Sequence, residues 1–249
     1  NIIFILLFVF SLHSCSDFLE TNAYDFVFFA LEISALLIIM FTIIMSANIM
    51  AKEFDNGTIK LLAIRPFKRS KIFTGKLLSV MFFAIIFVLF SFIISFVAGI
   101  CVYPLVSTPV LAVFNADIAF TMEPILLILL KVGALILEVL FFAVVSISLS
   151  TLFRSFAGAF SVTFLVYAIS IIAGMFLSGF TWFTFLPFVN LDLFVYLGGS
   201  FNSPANAVNS LFTTQLLTNS NFYIAATYYA VLIFIIALLS FISFKKRDV

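Results

Sequence analysis

The stretch AKEFDNGTIKLLAIRPFKRSKIFTGK, residues Ala51–Lys76, is the only long polar segment of the chain and decides its fold. It contains seven of the twelve lysines and arginines and two of the eleven acids, and long apolar runs lie on both sides of it. Basic residues between two membrane spans favour the cytoplasmic side of the bilayer. The stretch therefore predicts a cytoplasmic loop, and this loop sets the direction in which every other apolar run crosses.

The composition indicates a membrane protein. Of the 249 residues, 65% are hydrophobic and 9% are charged, and the mean hydropathy is +1.32. A water-soluble domain carries roughly a quarter of charged residues, so this chain has too little charge to cover its own surface in water. We predict one membrane domain over residues 1–249. Because Asn1 stands within an apolar run, we expect that the start of the first span is missing; a cleaved signal peptide is the alternative.

The apolar runs predict the number and direction of the spans. A helix of about 20 apolar residues crosses the hydrocarbon core of a bilayer. The pattern predicts an all-α membrane protein with six transmembrane helices, the first one truncated, and with both termini in the cytoplasm. The predicted spans are residues 1–12 in part, 26–50, 77–102, 124–153, 156–182 and 222–244. Eleven of the twelve basic residues then lie on the cytoplasmic side, and the outer segment 183–221 has none.

Three ionisable residues fall within the predicted spans, namely Glu32, Lys131 and Glu138. Such residues are costly in a bilayer and usually face protein or water. Glu32 and Lys131 each lie about two turns from the outer surface, which predicts that they pair. Glu138, near the midplane, is predicted to face a subunit interface or a transport pathway. The alternative is that all three residues fix helix packing.

Hydroxyl side chains cluster near the end of the fourth predicted span. We expect them to make helix–helix contacts rather than to contact a substrate. They are Ser146, Ser148, Ser150 and Thr151. Two cysteines, Cys15 and Cys101, lie near the outer ends of spans, where the sequence allows a disulfide and the apolar surroundings favour separate thiols.

The basic loop has a local pattern of its own. Asp55 and Asn56 are suited to cap a short helix over residues 58–64, and Arg65-Pro66 ends that helix because the residue before proline avoids the helical region. A basic amphipathic stretch, residues 67–76, then leads into the third span. A helix of this kind either lies on the inner membrane surface and binds anionic lipid, or fits a groove on a cytoplasmic partner.

The order of residues in this loop resembles a known family. Glu53 is followed by Gly57-Thr58, Leu62, Arg65-Pro66, Arg69 and Gly75-Lys76. This pattern is similar to the loop between the second and third spans of permease subunits of ATP-binding cassette (ABC) transporters, in the type-2 exporters that include antibiotic-resistance and bacteriocin-immunity permeases. SISLSTLFRSFAGA, residues 146–159, resembles the tight inner turn between that family's fourth and fifth spans, and the terminal FKKRDV resembles its C-terminus. The resemblance covers essentially the whole chain.

The resemblance implies that the loop is a coupling helix. An ATPase subunit on a separate polypeptide would dock on it and would bind ATP and magnesium, since this chain has no phosphate-loop motif. The implied docking residues are Glu53, Gly57, Thr58, Leu62, Arg65, Pro66 and Arg69. Closure of two ATPase subunits would move the coupling helices and rearrange two membrane halves. The second half would be another copy of this chain or a homologous permease.

The predicted function is therefore export of a substrate across the plasma membrane by a multi-pass permease. The Phe-rich, apolar bundle favours an amphiphilic peptide, an antibiotic or a lipid-like drug as substrate, and a small ion is the alternative. We predict that the chain is not an enzyme, because HExxH and GxSxG are absent and His13 is the only histidine. We also predict that it has no metal site and no nucleic-acid partner. The alternative is a non-transport membrane protein, an immunity or sensor subunit that binds a peptide at residues 183–221.

Overall fold

Five helices and one two-stranded hairpin make up the part of the chain that the computed structural model describes, residues 22–55, 69–105, 110–115, 118–153, 155–176 and 222–246. The helices are α1 (Ala23–Asp55), α2 (Arg69–Val102), α3 (Pro124–Phe153), α4 (Phe156–Phe176) and α5 (Phe222–Lys246). The strands are β1 (Val110–Asn115) and β2 (Ile118–Met122). The predicted partial span 1–12 and the outer segment 183–221 lie outside the described residues.

Three of these helices, α1, α2 and α3, are long and apolar enough to cross a membrane. Shorter apolar helical stretches occupy residues 156–170 of α4 and 227–242 of α5. The predicted helical class is confirmed in part, because the described residues are helical apart from one hairpin. Six spans and the direction of the termini stay predictions.

The helices next to the basic loop are longer than the apolar runs. α1 continues from the predicted end at residue 50 to Asp55, and α2 begins at Arg69 instead of residue 77. Asp55 is the last residue of α1, and residues 69–76 belong to α2. The predicted loop helix over residues 58–64 lies outside the described residues, so its capping stays a prediction. A helix satisfies its own backbone polar groups, so it continues past the hydrocarbon boundary wherever polar side chains tolerate helical geometry.

The hairpin between α2 and α3 is an element that the all-α prediction missed. β1 and β2 pair antiparallel, with Val110 opposite Met122 and Ala112 opposite Phe120, and the register shifts between Val113 and Asn115. The periodicity of a short apolar run does not distinguish a strand from a helix. Pro124 then begins α3 at the predicted residue, and α3 ends at Phe153 as predicted.

α3 is the central helix of the bundle, because it packs against each of the other four described helices. Its buried positions join those of α1 in one core, where Leu31, Ile38, Ile43, Leu127 and Phe142 have at most 1% of their surface exposed. Lipid tails are as apolar as these side chains, so close packing and interhelical hydrogen bonds hold such helices together.

Contacts between helices fix their relative directions. Ser146 bonds the carbonyl of Ile43, and Ser150 bonds that of Ala47, so α1 and α3 run parallel. Ser91 bonds Ser34, whereas Lys76 bonds the carbonyl of Ile49, so α2 runs antiparallel to α1. The ring of Phe241, near the end of α5, packs on Phe73, near the start of α2.

One end of the bundle therefore gathers the ends of α1, α3 and α5 and the beginnings of α2 and α4. We call it the basic end. The described helices place Lys52, Lys71 and Lys76 there, together with the backbone of Lys245 and Lys246.

Candidate functional site

An ion pair joins the two helices that flank the basic loop. Lys76 Nζ of α2 pairs with Glu53 Oε1 of α1, and the two side chains are 17% and 26% exposed. The same nitrogen donates a hydrogen bond of 3.3 Å to the carbonyl of Ile49. Lys76 thus binds both a side chain and the backbone of the last turns of α1, and this holds the end of α1 against the beginning of α2.

A small apolar cluster lies beneath this ion pair. Its buried members are Met50, Phe73, Val80, Ala143 and Ile147, contributed by α1, α2 and α3. Phe73 is fully buried, and its ring centroid lies 6.3 Å from that of Phe241 on α5. We call the end of α1 and the beginning of α2 the stems of the basic loop. Because densely packed side chains transmit strain, a displacement of the stems is transmitted to α3 and α5.

The predicted docking residues are only partly covered by the structure. Glu53 lies on α1 in the ion pair, and Arg69 is the first residue of α2. Gly57, Thr58, Leu62, Arg65 and Pro66 lie outside the described residues. Their role as a docking surface stays a prediction.

A second ion pair lies in the other half of the bundle. Lys131 Nζ of α3 is 2.6 Å from Glu32 Oε2 of α1, and the side chains are 5% and 25% exposed. Lys131 Nζ also lies 5.3 Å from the ring centroid of Phe28, a distance at which a cation is attracted to the face of a ring. The predicted pairing of Glu32 with Lys131 is confirmed. The charges of Glu32 and Lys131 thereby neutralise each other where the two helices touch.

Glu138 lies on α3 two turns after Lys131 and is partly exposed. Residues seven apart on a helix lie on nearly the same face. Its predicted position at a pathway or subunit interface stays a prediction, and so does the choice between a pathway and a packing role for Glu32 and Lys131.

Serine hydroxyls join α1 and α3 by three hydrogen bonds to backbone carbonyls. Ser46 donates to Ala143 at 2.6 Å, Ser146 to Ile43 at 3.0 Å, and Ser150 to Ala47 at 2.7 Å. The predicted helix–helix contacts are confirmed for Ser146 and Ser150. The hydroxyls of Ser148 and Thr151 bond carbonyls of their own helix, and a contact of these two residues with a neighbouring helix stays a prediction.

Sequence reasoning missed the Glu53–Lys76 pair and Ser46. The signal for the pair was present, because an acid ends one helix and a base begins the next on either side of a single loop. Within the described helices and strands, no three His, Cys, Asp or Glu residues lie close enough to hold a metal ion. The outer segment 183–221, proposed as the alternative peptide-binding site, lies outside the described residues.

Comparison with known proteins identifies a family and two relatives. The model of a family described as protein of unknown function (DUF2705) matches residues 1–249. The uncharacterized protein YhcI of Bacillus subtilis is 30% identical over 218 residues, 84% of this chain and 64% of that protein. The uncharacterized membrane protein YdbK of the same organism is 32% identical over 160 residues, 64% of this chain and 61% of that protein. The aligned residues span less than two thirds of either relative.

Proposed function

Because the chain belongs to the DUF2705 family of proteins of unknown function, we propose its function from its own residues. It is a membrane protein, as its three long apolar helices and the membrane-protein relative indicate. The proposal is that it is the permease subunit of an ABC exporter. A separate ATPase subunit docks on the basic loop and drives the export of an amphiphilic substrate.

The observation that carries the proposal is the ion pair between Glu53 and Lys76. A loop that transmits force needs stems that move as one body, and this pair joins the two stems where the loop leaves the bundle. A loop that only rests on the lipid surface needs no such link. The pair also lies at the two ends of the pattern that resembles the coupling loop of type-2 exporters.

The packing beneath the stems supports the same proposal. α1 is bonded to α3 through Ser46, Ser146 and Ser150, all in the half of the bundle nearest the basic end. A push on the loop therefore displaces α1 and α3 together. Glu32 and Lys131 connect the same two helices in the other half, which extends the connected unit along most of their length.

The orientation follows from the charges at the basic end. Basic residues favour the cytoplasmic side, so the basic end faces the cytoplasm, where ATP is available. The complete permease crosses the plasma membrane six times and pairs with a second copy or a homologous permease. ATP and magnesium are bound by the ATPase subunit, and this chain performs no catalysis.

The test is a coupling measurement on the stem pair. The chain is co-expressed with an ATPase that co-purifies with it, and ATP hydrolysis is compared with the export of a fluorescent amphiphilic peptide from vesicles. We expect Glu53→Gln and Lys76→Gln each to lower export per ATP hydrolysed, and the exchange Glu53→Lys with Lys76→Glu to restore part of it. Lys52→Gln, an exposed neighbour on α1, is the matched control. Unchanged coupling in both single variants would contradict the proposal.

A further inference from the structure

A cavity of about 520 Å³ lies between α3, α4 and α5. Ligand-binding cavities in proteins measure about 300–1,000 Å³, and this cavity, which is open to the surface at Leu152 and Leu239, falls within that range. Val145 and Leu149 line it from α3, Val166 from α4, and Leu232 and Leu239 from α5. The cavity is not part of the stem pair or of the Glu32–Lys131 pair.

The lining indicates what the cavity takes. Apart from one ring, Phe141, and two serines, its side chains are aliphatic. The hydroxyl of Ser148 is bonded to the carbonyl of Val144, and the oxygen of Ser240 is covered from solvent. The cavity therefore presents hydrocarbon almost everywhere. A flexible aliphatic chain suits such walls, whereas a polar solute would lose its hydrogen bonds to water there.

The position of the cavity adds a charge requirement. It reaches Leu152 and Ser240, close to the basic end of α3 and α5. Lys245 lies five residues after Ser240 on α5, about 7–8 Å further along the helix axis. Lys246, the last residue of α5, follows it on the same helix. An acyl chain seated in the cavity would thus place the head group of its lipid at the basic end of α5.

We propose that this cavity is a binding site for one acyl chain of an anionic phospholipid, with the phosphate of the lipid at the basic end. Each lysine or arginine near the cytoplasmic surface of a membrane contributes about 1 kcal/mol of attraction to anionic lipid head groups. The site requires only that the chain lies in a bilayer. The proposal of a lipid site does not depend on whether the protein is a permease.

The test uses phosphatidylglycerol with a photoactivatable diazirine in its acyl chain. The full chain is reconstituted in phosphatidylcholine vesicles with a trace of this probe, irradiated and digested, and the labelled peptides are identified by mass spectrometry. We expect adducts on the lining segments of α3, α4 and α5, and fewer adducts with a phosphatidylcholine probe that has the same acyl chain. Equal labelling by the two probes would overturn the proposal.

Cavity-filling variants distinguish the site from general lipid contact. Val166→Trp fills the cavity, and Leu165→Trp is its control because Leu165 is 55% exposed and does not line it. Leu239→Trp is a second filling variant. Leu239 is 62% exposed, so it tolerates a larger side chain. Val231→Trp is its control, because Val231 lies on the same helix, is 54% exposed and does not line the cavity.

We expect either filling variant to lower the phosphatidylglycerol adducts about tenfold, a loss of about 1.4 kcal/mol of binding, and the controls to leave them unchanged. Equal labelling of filling and control variants would overturn the proposal. The proposal would also be overturned if the lining residues carried no adduct and cysteine cross-linking showed a second copy of the protein in the cavity.

Discussion

Lys131 Nζ lies 2.6 Å from Glu32 Oε2 and bridges α3 to α1 in the half of the bundle opposite the basic loop. The lysine side chain is 5% exposed, so its charge depends on this partner and on the ring of Phe28. The relationship could be anticipated from the sequence, because both residues lie at similar depth below the outer ends of neighbouring spans.

The first prediction concerns this pair. Breaking a buried ion pair by removing one partner costs about 3–5 kcal/mol, and we expect Lys131→Met to fall near the lower limit because Glu32 is a quarter exposed. The free energy of unfolding is measured by SDS titration of protein in mixed micelles. The exchange Glu32→Lys with Lys131→Glu should recover part of the loss. A double variant no more stable than either single variant would refute the pairing.

Lys71→Met is the control for that series, because Lys71 is exposed at the basic end. A surface substitution of this kind is expected to change the free energy of unfolding by less than about 0.5 kcal/mol.

The second prediction concerns the serine bonds between α1 and α3. Interhelical hydrogen bonds in a membrane protein contribute about 0.6 kcal/mol on average, so Ser146→Ala with Ser150→Ala should cost about 1 kcal/mol. Ser148→Ala should cost less, because its hydroxyl bonds its own helix. The same SDS titration measures the double variant and the single variants Ser148→Ala and Ser150→Ala. An equal cost for Ser148→Ala and Ser150→Ala would show that the interhelical bonds add nothing.

The third prediction concerns the close contact between α1 and α2 at Gly99. A Cβ on Gly99 would lie 3.0 Å from Val27 Cγ2 and 3.1 Å from the carbonyl oxygen of Ala23. Gly99→Ala should therefore separate the two helices and cost about 1–3 kcal/mol. Gly133→Ala is the matched control on α3, where a Cβ meets nothing within 4 Å. Alanine favours a helix by about 1 kcal/mol over glycine, so this variant should be at least as stable as wild type.

The fourth prediction concerns orientation. Lys71 at the basic end and Glu123 at the opposite end are both exposed, and each is replaced by cysteine after Cys15→Ser and Cys101→Ser. We expect a membrane-impermeant maleimide to label the cysteine at 123 in intact cells and the one at 71 only after permeabilisation. The reverse pattern would place the basic end outside and would exclude an ATPase at the loop.

The sequence predicted the helical class, the bounds of α3 and the Glu32–Lys131 pair, because these follow from apolar run length and from depth along a helix. It did not predict the Glu53–Lys76 pair. The polarity of residues 51–76 predicts a loop, and a loop does not define which residues of the two flanking helices lie opposite each other. Once α1 reaches Asp55 and α2 begins at Arg69, the two charges face each other.

The hairpin was missed for a different reason. Its strands are six and five residues long, too short for an apolar run to show its period. The polar residues Asn115 and Asp117 between two apolar runs were the available turn signal. The carbonyl groups that accept from Ser146 and Ser150 could not be predicted, because they depend on how α1 and α3 are shifted along each other. The sequence pattern of one helix does not contain that shift.

The measurement that tests the central claim most directly is an affinity pull-down of the tagged chain from membranes in mild detergent. Mass spectrometry identifies the co-purifying proteins, and the experiment is repeated with residues 57–65 scrambled. The account predicts an ATPase with a phosphate-loop motif bound to the native chain and lost from the scrambled one, while both remain abundant in the membrane. Absence of such an ATPase from both samples, with the protein intact, would contradict the account.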